Sequence, residues 1–120
     1  MFKKTPLVEK VLLTNKKKNS GRNNWGRITV RGRGGSKYSH RYRLIDFDRF
    51  LWNTPGLLCS VHLDPNRNCF IGLIGYVNFS FSFIILPENL FPGDIVIAGV
   101  GVSISTGNST LLRHIPLNQE

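Results

Sequence analysis

Between Asn68 and Pro87 the chain runs for twenty residues without a charged side chain. That length would let a helix cross a bilayer, so the stretch forces a choice between a membrane span and a buried sheet. Its internal pattern decides. Phe79, Phe81 and Phe83 alternate with Ser80 and Ser82, and period two belongs to a strand, whose successive side chains point to opposite faces. Gly72, Gly75 and Asn78 interrupt the run as well. We read two strands joined near Val77-Asn78 and no membrane span.

Short strands recur on either side of this stretch. Leu57–Leu63 alternates, with Leu57, Cys59, Val61 and Leu63 expected inward and Leu58, Ser60 and His62 outward. Asp64-Pro65-Asn66-Arg67-Asn68 is a turn, because proline presets φ and Asx side chains cap the turn backbone. Cys69–Tyr76 then returns as the second strand of a hairpin. Ile95–Ala98 reads as a last buried strand. Upstream, Gly26–Arg31 sets Arg27, Thr29 and Arg31 against Ile28 and Val30, and His40–Arg49 forms a longer strand of mixed faces. Val8, Val11 and Leu12 mark a short helical or extended apolar stripe. Phe50–Gly56, Pro87–Asp94 and Gly99–Ser109 are turn and loop material, and Leu111–Pro116 is compatible with one helical turn. Strands at this spacing in a chain of 120 residues fit one small barrel or sandwich. The expected fold is all-β, a five-stranded Greek-key barrel of the oligonucleotide-binding type, since closure removes exposed edges. The expected division is a basic, irregular N-terminal extension over 1–39, the barrel over 40–100, and a loop and tail over 101–120.

Charge is distributed as unevenly as hydrophobicity. The net charge is +9, but residues 1–45 hold 13 of the 16 lysines and arginines and a single acid, Glu9, for +12. Residues 46–120 carry three arginines against six acids, for −3. This is a basic arm on a near-neutral body. Within it, Ser20–Phe47 interleaves arginines with glycine, asparagine and hydroxyl residues, and its apolar residues are too thinly spread to offset its ordering entropy. A polyanion would complete it, and we read RNA. Arginine forks and asparagine amides suit phosphate oxygens, 2′-hydroxyls and base edges. The candidate contact set is Lys16, Lys17, Lys18, Arg22, Asn23, Asn24, Arg27, Arg31, Arg33, Gly34, Gly35, Lys37, His40, Arg41 and Arg43, with Arg67 at the hairpin tip as a secondary member. Trp25, Tyr38 and His40 are open to two readings, stacking on bases or packing within the protein. The glycine loop Gly32–Ser36 permits close approach to a sugar–phosphate backbone, but it lacks the G-x-x-x-x-G-K-[ST] pattern of a nucleotide site.

Other chemistries find little support. Cys59 and Cys69 make no disulfide framework and no zinc spacing; the simple hairpin register sets Cys69 opposite His62, so we read two thiols, no metal and no cofactor. Asp46 and Asp48 share a strand face near Arg43 and Arg49, which favours ion pairs over a catalytic carboxylate pair. No nucleophile–base spacing is present, and we expect no enzyme. Residues 1–18 lack the apolar core of a secretory signal, and Glu9 with no arginine fits a transit peptide poorly.

An ordered series of short motifs carries a resemblance. Gly21-Arg22-Asn23-Asn24, Gly26-Arg27-Ile28-Thr29, Gly34-Gly35, Tyr42-Arg43-Leu44-Ile45-Asp46-Phe47 and Asp64-Pro65-Asn66-Arg67 are followed by Ile84-Ile85-Leu86-Pro87, Pro92-Gly93-Asp94, Gly107-Asn108 and Leu112-Arg113-His114-Ile115-Pro116. The series, from about Lys16 to Pro116, resembles the RNA-binding N-terminal half of the universal large-subunit ribosomal protein L-two family. The resemblance implies an oligonucleotide-binding-type barrel on large-subunit rRNA near the peptidyl-transferase region, with neighbouring ribosomal proteins as partners and a structural role in assembly and translation. Ser36 stands where the family usually has a third glycine, and Lys37-Tyr38-Ser39-His40 is one residue longer. The family continues into an SH3-like half, for which a separate polypeptide is the expected source. The composition resembles an organellar version, mitochondrial before plastid. The alternative is a free-standing single-stranded RNA-binding module of the cold-shock type, which would display aromatics on its binding strands.

Overall fold

The computed structural model describes residues 8–15, 18–34 and 42–115. A single helical turn, α1 (Val8–Val11), leads into β1 (Leu13–Thr14). The later strands are β2 (Tyr42–Arg43), β3 (Gly56–Leu63), β4 (Phe70–Tyr76), β5 (Phe81–Ile85) and β6 (Ile95–Val96). Leu112–His114 forms a 3-10 turn. No helix among the described residues is long and apolar enough to cross a membrane.

The main sheet is antiparallel, in the order β5-β4-β3-β6. The charge-free stretch supplies its middle. Ile71, Gly72, Leu73 and Ile74 of β4 are all buried, so this strand needs apolar groups on both faces. On one face Ile74 packs with Leu58, Ile84, Leu90 and Val96. On the other, Ile71, Leu73 and Phe83 are covered by Leu12 and Ile45. The alternating phenylalanines follow the same pleat: Phe83 is fully buried in β5, Phe81 is partly exposed and Phe79 projects from the turn.

The sheet curls, and one segment reaches both of its edges. Ile45 bridges Phe83 of β5 in parallel, and Trp52 bridges Ala98, just beyond β6. Asp46 N–H donates to the Phe83 carbonyl at 2.8 Å and Asn53 N–H to that of Ala98. Residues 45–53 thus link the two edges of a half-barrel by single bridges, and the expected fifth strand is not formed as a ladder there. Between the two bridges Arg49 adopts positive φ, which departs from extended strand geometry.

Three expectations need correction. First, β3 does not keep one phase. Leu58 pairs with Ile74 and Ser60 with Leu73, so Cys59 is a β-bulge. The extra residue puts Leu58 and Val61 on one face, while Leu57, Cys59 and Leu63 are exposed. Of the four residues expected inward, Val61 alone packs on that core. Beyond the bulge His62 pairs with Ile71, and Cys69 lies in the turn; Cys59 and Cys69 are free thiols. Second, Gly26–Arg31 is no strand. Its single pairing among the described residues is the Arg22–Ile28 bridge, and its apolar side chains, Ile28 and Val30, are exposed. Third, of His40–Arg49 the ladder includes Tyr42–Arg43, paired with β1, and the Ile45 bridge; His40 and Arg41 lie outside the described residues.

The bulge makes a prediction. Cys59→Ser should change unfolding free energy by no more than about 0.5 kcal/mol, as for other exposed sites. Deleting Cys59 restores strict alternation and takes either Leu58 or Val61 off the core, at about 2–5 kcal/mol. Urea denaturation of the two variants checks this.

Candidate nucleic-acid interface

Residues 18–34 form a loop that holds its shape through hydrogen bonds instead of a core. Ser20 and Gly21 both take positive φ, 49° and 69°. This turns the Gly21 carbonyl to face Thr29 and Val30, whose N–H groups donate to it at 2.8 and 3.1 Å; the Thr29 hydroxyl adds a third bond at 3.2 Å. A Cβ on Gly21 would collide with the Val30 carbonyl oxygen. At the far end Asn23 closes a second turn. Its Oδ1 accepts from Trp25 N–H at 3.1 Å and from Arg27 N–H at 2.9 Å. Its backbone N–H donates to the Arg27 carbonyl, and its carbonyl accepts from Gly26 N–H.

This framework turns the cations outward. Lys18, Arg22, Asn24, Arg27, Arg31, Arg33 and Gly34 are all exposed. The loop brings Lys18, Arg22 and Arg33 to the wall of one open cleft of about 360 Å³, with Asn19, Ser20, Gly21, Thr29, Val30 and Gly34. No acid occurs anywhere from Lys10 to Ile45, so nothing in the local sequence neutralises this group. Three cations around one open cleft are suited to a phosphate, which each can meet with a charge-assisted hydrogen bond.

The other candidates divide. Asn23 is half-buried, and its carbonyl oxygen is committed to the turn, so it positions the loop. Arg43 and Arg67 belong to a different structure. Asp64 is buried, and Arg67 Nε lies 3.0 Å from its Oδ2 while Arg43 Nη1 lies 3.7 Å from its Oδ1. Arg67 also donates to the Tyr42 hydroxyl at 3.1 Å and lies over the Tyr42 and Phe47 rings. Their side chains are 16% and 23% exposed, and both face the carboxylate of the hairpin turn. Lys16, Lys17, Gly35, Lys37, Tyr38, His40 and Arg41 lie outside the described residues.

The ion pairs expected for Asp46 and Asp48 are also corrected. Asp46 accepts from Phe50 N–H at 3.2 and 3.4 Å, and among the described residues Arg43 pairs with Asp64. Arg49 donates to the Gly107 carbonyl at 2.9 Å. Burial lowers its pKa, opposed by Tyr76 and Asp46. Sequence reasoning missed the cleft's small members, Asn19, Ser20, Gly21 and Thr29; the Ser20-Gly21 pair ahead of Arg22 was the available turn signal.

Comparison with known proteins bears on this surface. Residues 9–98 match the family model described as Ribosomal Proteins L2, RNA binding N-terminal domain. The chain is 48% identical over 98 residues to the large ribosomal subunit protein uL2m of Reclinomonas americana, covering 82% of this chain and 35% of that relative. It is 43% identical over 100 residues to the large ribosomal subunit protein uL2 of Parvibaculum lavamentivorans, covering 83% and 36%. The chain thus spans about a third of the length of these curated relatives.

The loop geometry predicts a local effect from one methyl group. Gly21→Ala should cost about 1–3 kcal/mol, the usual range for strained backbone. The loss should be confined to the loop: hydrogen-exchange protection of the Thr29 and Val30 amides falls, while that of the Ile71 and Leu73 amides in β4 is unchanged.

Proposed function

This chain belongs to the ribosomal protein L2 family, and from that premise we propose that it is a structural component of the large ribosomal subunit. In this reading it binds rRNA near the peptidyl-transferase region and supports subunit assembly and translation. The observation that carries the reading is the acid-free loop 18–34, whose cations are exposed around a preformed cleft while its neutral side chains hold its shape. Phosphates in the cleft would displace condensed counterions, which makes affinity salt-dependent. The free contact set is Lys18, Arg22, Asn24, Arg27, Arg31, Arg33 and Gly34, continued by Lys16, Lys17, Gly35, Lys37, His40 and Arg41. Asn23, Arg43 and Arg67 act by positioning. No step of catalysis is required of any of them.

We also propose the division into an extension over 1–39, a barrel over 40–100 and a tail over 101–120. What supports it is that β3 to β6 all lie between residues 56 and 96, while residues 18–34 contribute none of the strands. The partners are rRNA, neighbouring ribosomal proteins and the remainder of the family's length, in the same or a separate polypeptide. The compartment we propose is the mitochondrion, supported by the identity to uL2m.

The reading is tested by replacing Lys18, Arg22 and Arg33 together with alanine. The log–log salt dependence of rRNA binding should become shallower by about 2, since each lost phosphate contact on single-stranded RNA accounts for about 0.7. The barrel's far-UV circular dichroism should not change. In cell fractions the unaltered chain should sediment with the mitochondrial large subunit through a moderate-salt gradient. Recovery in the top fractions would instead favour a free RNA-binding module, and recovery with plastid ribosomes would overturn the compartment.

A further inference from the structure

We propose that Trp25 is a base-stacking residue, presented by the loop to an unpaired nucleobase of the RNA. The inference rests on the RNA-binding reading above and names a contact which that reading does not include. It starts from an imbalance in exposure. Trp25 is 79% exposed, Ile28 61% and Val30 50%, although two separate apolar cores exist a short distance along the chain. Trp25 is therefore not packed against a core among the described residues. Among the described residues its ring has neither an aromatic nor a cationic partner.

An isolated exposed apolar residue is ordinary on a protein surface. What sets Trp25 apart is how firmly its backbone is held. Its N–H and that of Arg27 are both bound by Asn23 Oδ1, and Gly26, at φ 75°, closes the turn by donating to the Asn23 carbonyl. The bonds fix the backbone on both sides of position 25 while leaving the indole free. A rigid tip with a large aromatic side chain has only two side-chain torsions to lose on binding, so little ordering cost opposes the contact.

The surroundings select the class of partner. Arg22 and Arg27 flank Trp25 and are exposed, and no acid occurs from Lys10 to Ile45. A protein pocket for the indole would have to accommodate both cations as well. A nucleotide offers a flat π-face for the ring and a phosphate for the arginines. Arg22 also lines the cleft with Lys18 and Arg33 and is three residues away, at most about 10 Å of chain. One RNA strand can therefore engage cleft and indole together. The base must be unpaired, because bases within an A-form helix already have both faces covered, whereas loops and bulges splay theirs out.

The test uses the full 120-residue chain with two polyanions, a single-stranded oligoadenylate and inorganic polyphosphate of matched charge. In a Trp52→Phe background, the fluorescence of Trp25 should be quenched saturably by oligoadenylate and not by polyphosphate. In the otherwise unaltered chain, Trp25→Ala should weaken oligoadenylate binding by about 5- to 150-fold, the range for loss of one stacked base. Trp25→Phe should remain within about fivefold, and neither change should alter polyphosphate binding. Salt-dependent binding of oligoadenylate that Trp25→Ala leaves unchanged would overturn stacking and leave the RNA reading intact. Failure to bind either polyanion would overturn both. Equal losses with both polyanions would reduce Trp25 to a support of the loop. Unchanged RNA binding combined with lost incorporation into ribosomal particles would assign the indole to a protein neighbour instead.

Discussion

The carboxylate of Asp64 ties the basic arm to the barrel. It sits in the turn between β3 and β4 with a fully buried side chain, a position that an ionised acid tolerates only when charge and hydrogen bonds surround it. Arg67 supplies the close contact and Arg43 a longer one, while Asn66 donates its N–H at 3.1 Å. Two of these groups lie within the turn; Arg43 arrives from β2. The ion pair therefore fixes where the upstream chain meets the hairpin, and Arg67 reinforces this through the Tyr42 hydroxyl and the Phe47 ring. From β2 the constraint passes to β1 through two paired residues and the bond from Leu44 N–H to the Leu12 carbonyl. Leu12 and Ile45 complete the cover over Phe83.

A second device stabilises the far end of the molecule. Asn108 Oδ1 accepts from Ile97 N–H, and its amide nitrogen donates to the Ser103 carbonyl and the Ser105 hydroxyl. Gly107 can lie against Val96 and Leu90 because it has no side chain, and its carbonyl holds Arg49. Like Asn23 in the arm, Asn108 organises a glycine-containing loop with no apolar core of its own. The two motifs that contain them, Arg22-Asn23-Asn24 and Gly107-Asn108, are architectural at Asn23 and Asn108. Backbone groups that cannot be satisfied by a ladder are satisfied by an amide side chain.

The parts of this fold that could be read from sequence are those set by neighbours in the chain. The Asp64–Asn68 turn, the β4–β5 hairpin around Val77-Asn78 and the buried run in β4 depend on local turn chemistry and on strings of apolar residues. The phase of β3 depends on a bulge at Cys59, and no residue there marks one; the bulge follows from Leu58 and Val61 both needing the core beneath β4. Gly26–Arg31 alternates correctly for a strand, but alternation expresses a demand for a second surface, and the arm has none. Trp25 was ambiguous for the same reason: an aromatic residue in a loop reads identically whether or not a core lies nearby.

The same limit explains why the cations could not be sorted in advance. Arg33 and Arg43 are ten residues apart in the same basic arm, yet one lines an open cleft and the other is half-buried beside Asp64. What distinguishes them is an acid twenty-one residues beyond Arg43, brought near by a hairpin. Charge that holds the fold must be matched within the protein, because leaving it unpaired there costs more than the pair gains. Charge that binds a polyanion must be left unmatched, and its mutual repulsion has to be borne by the free chain. The loop meets this second condition with neutral groups: the Gly21 carbonyl, the Asn23 amide and the Thr29 hydroxyl hold its shape, and no arginine side chain takes part in those bonds. The cations are thus positioned without being consumed, which is what a surface built for phosphates requires.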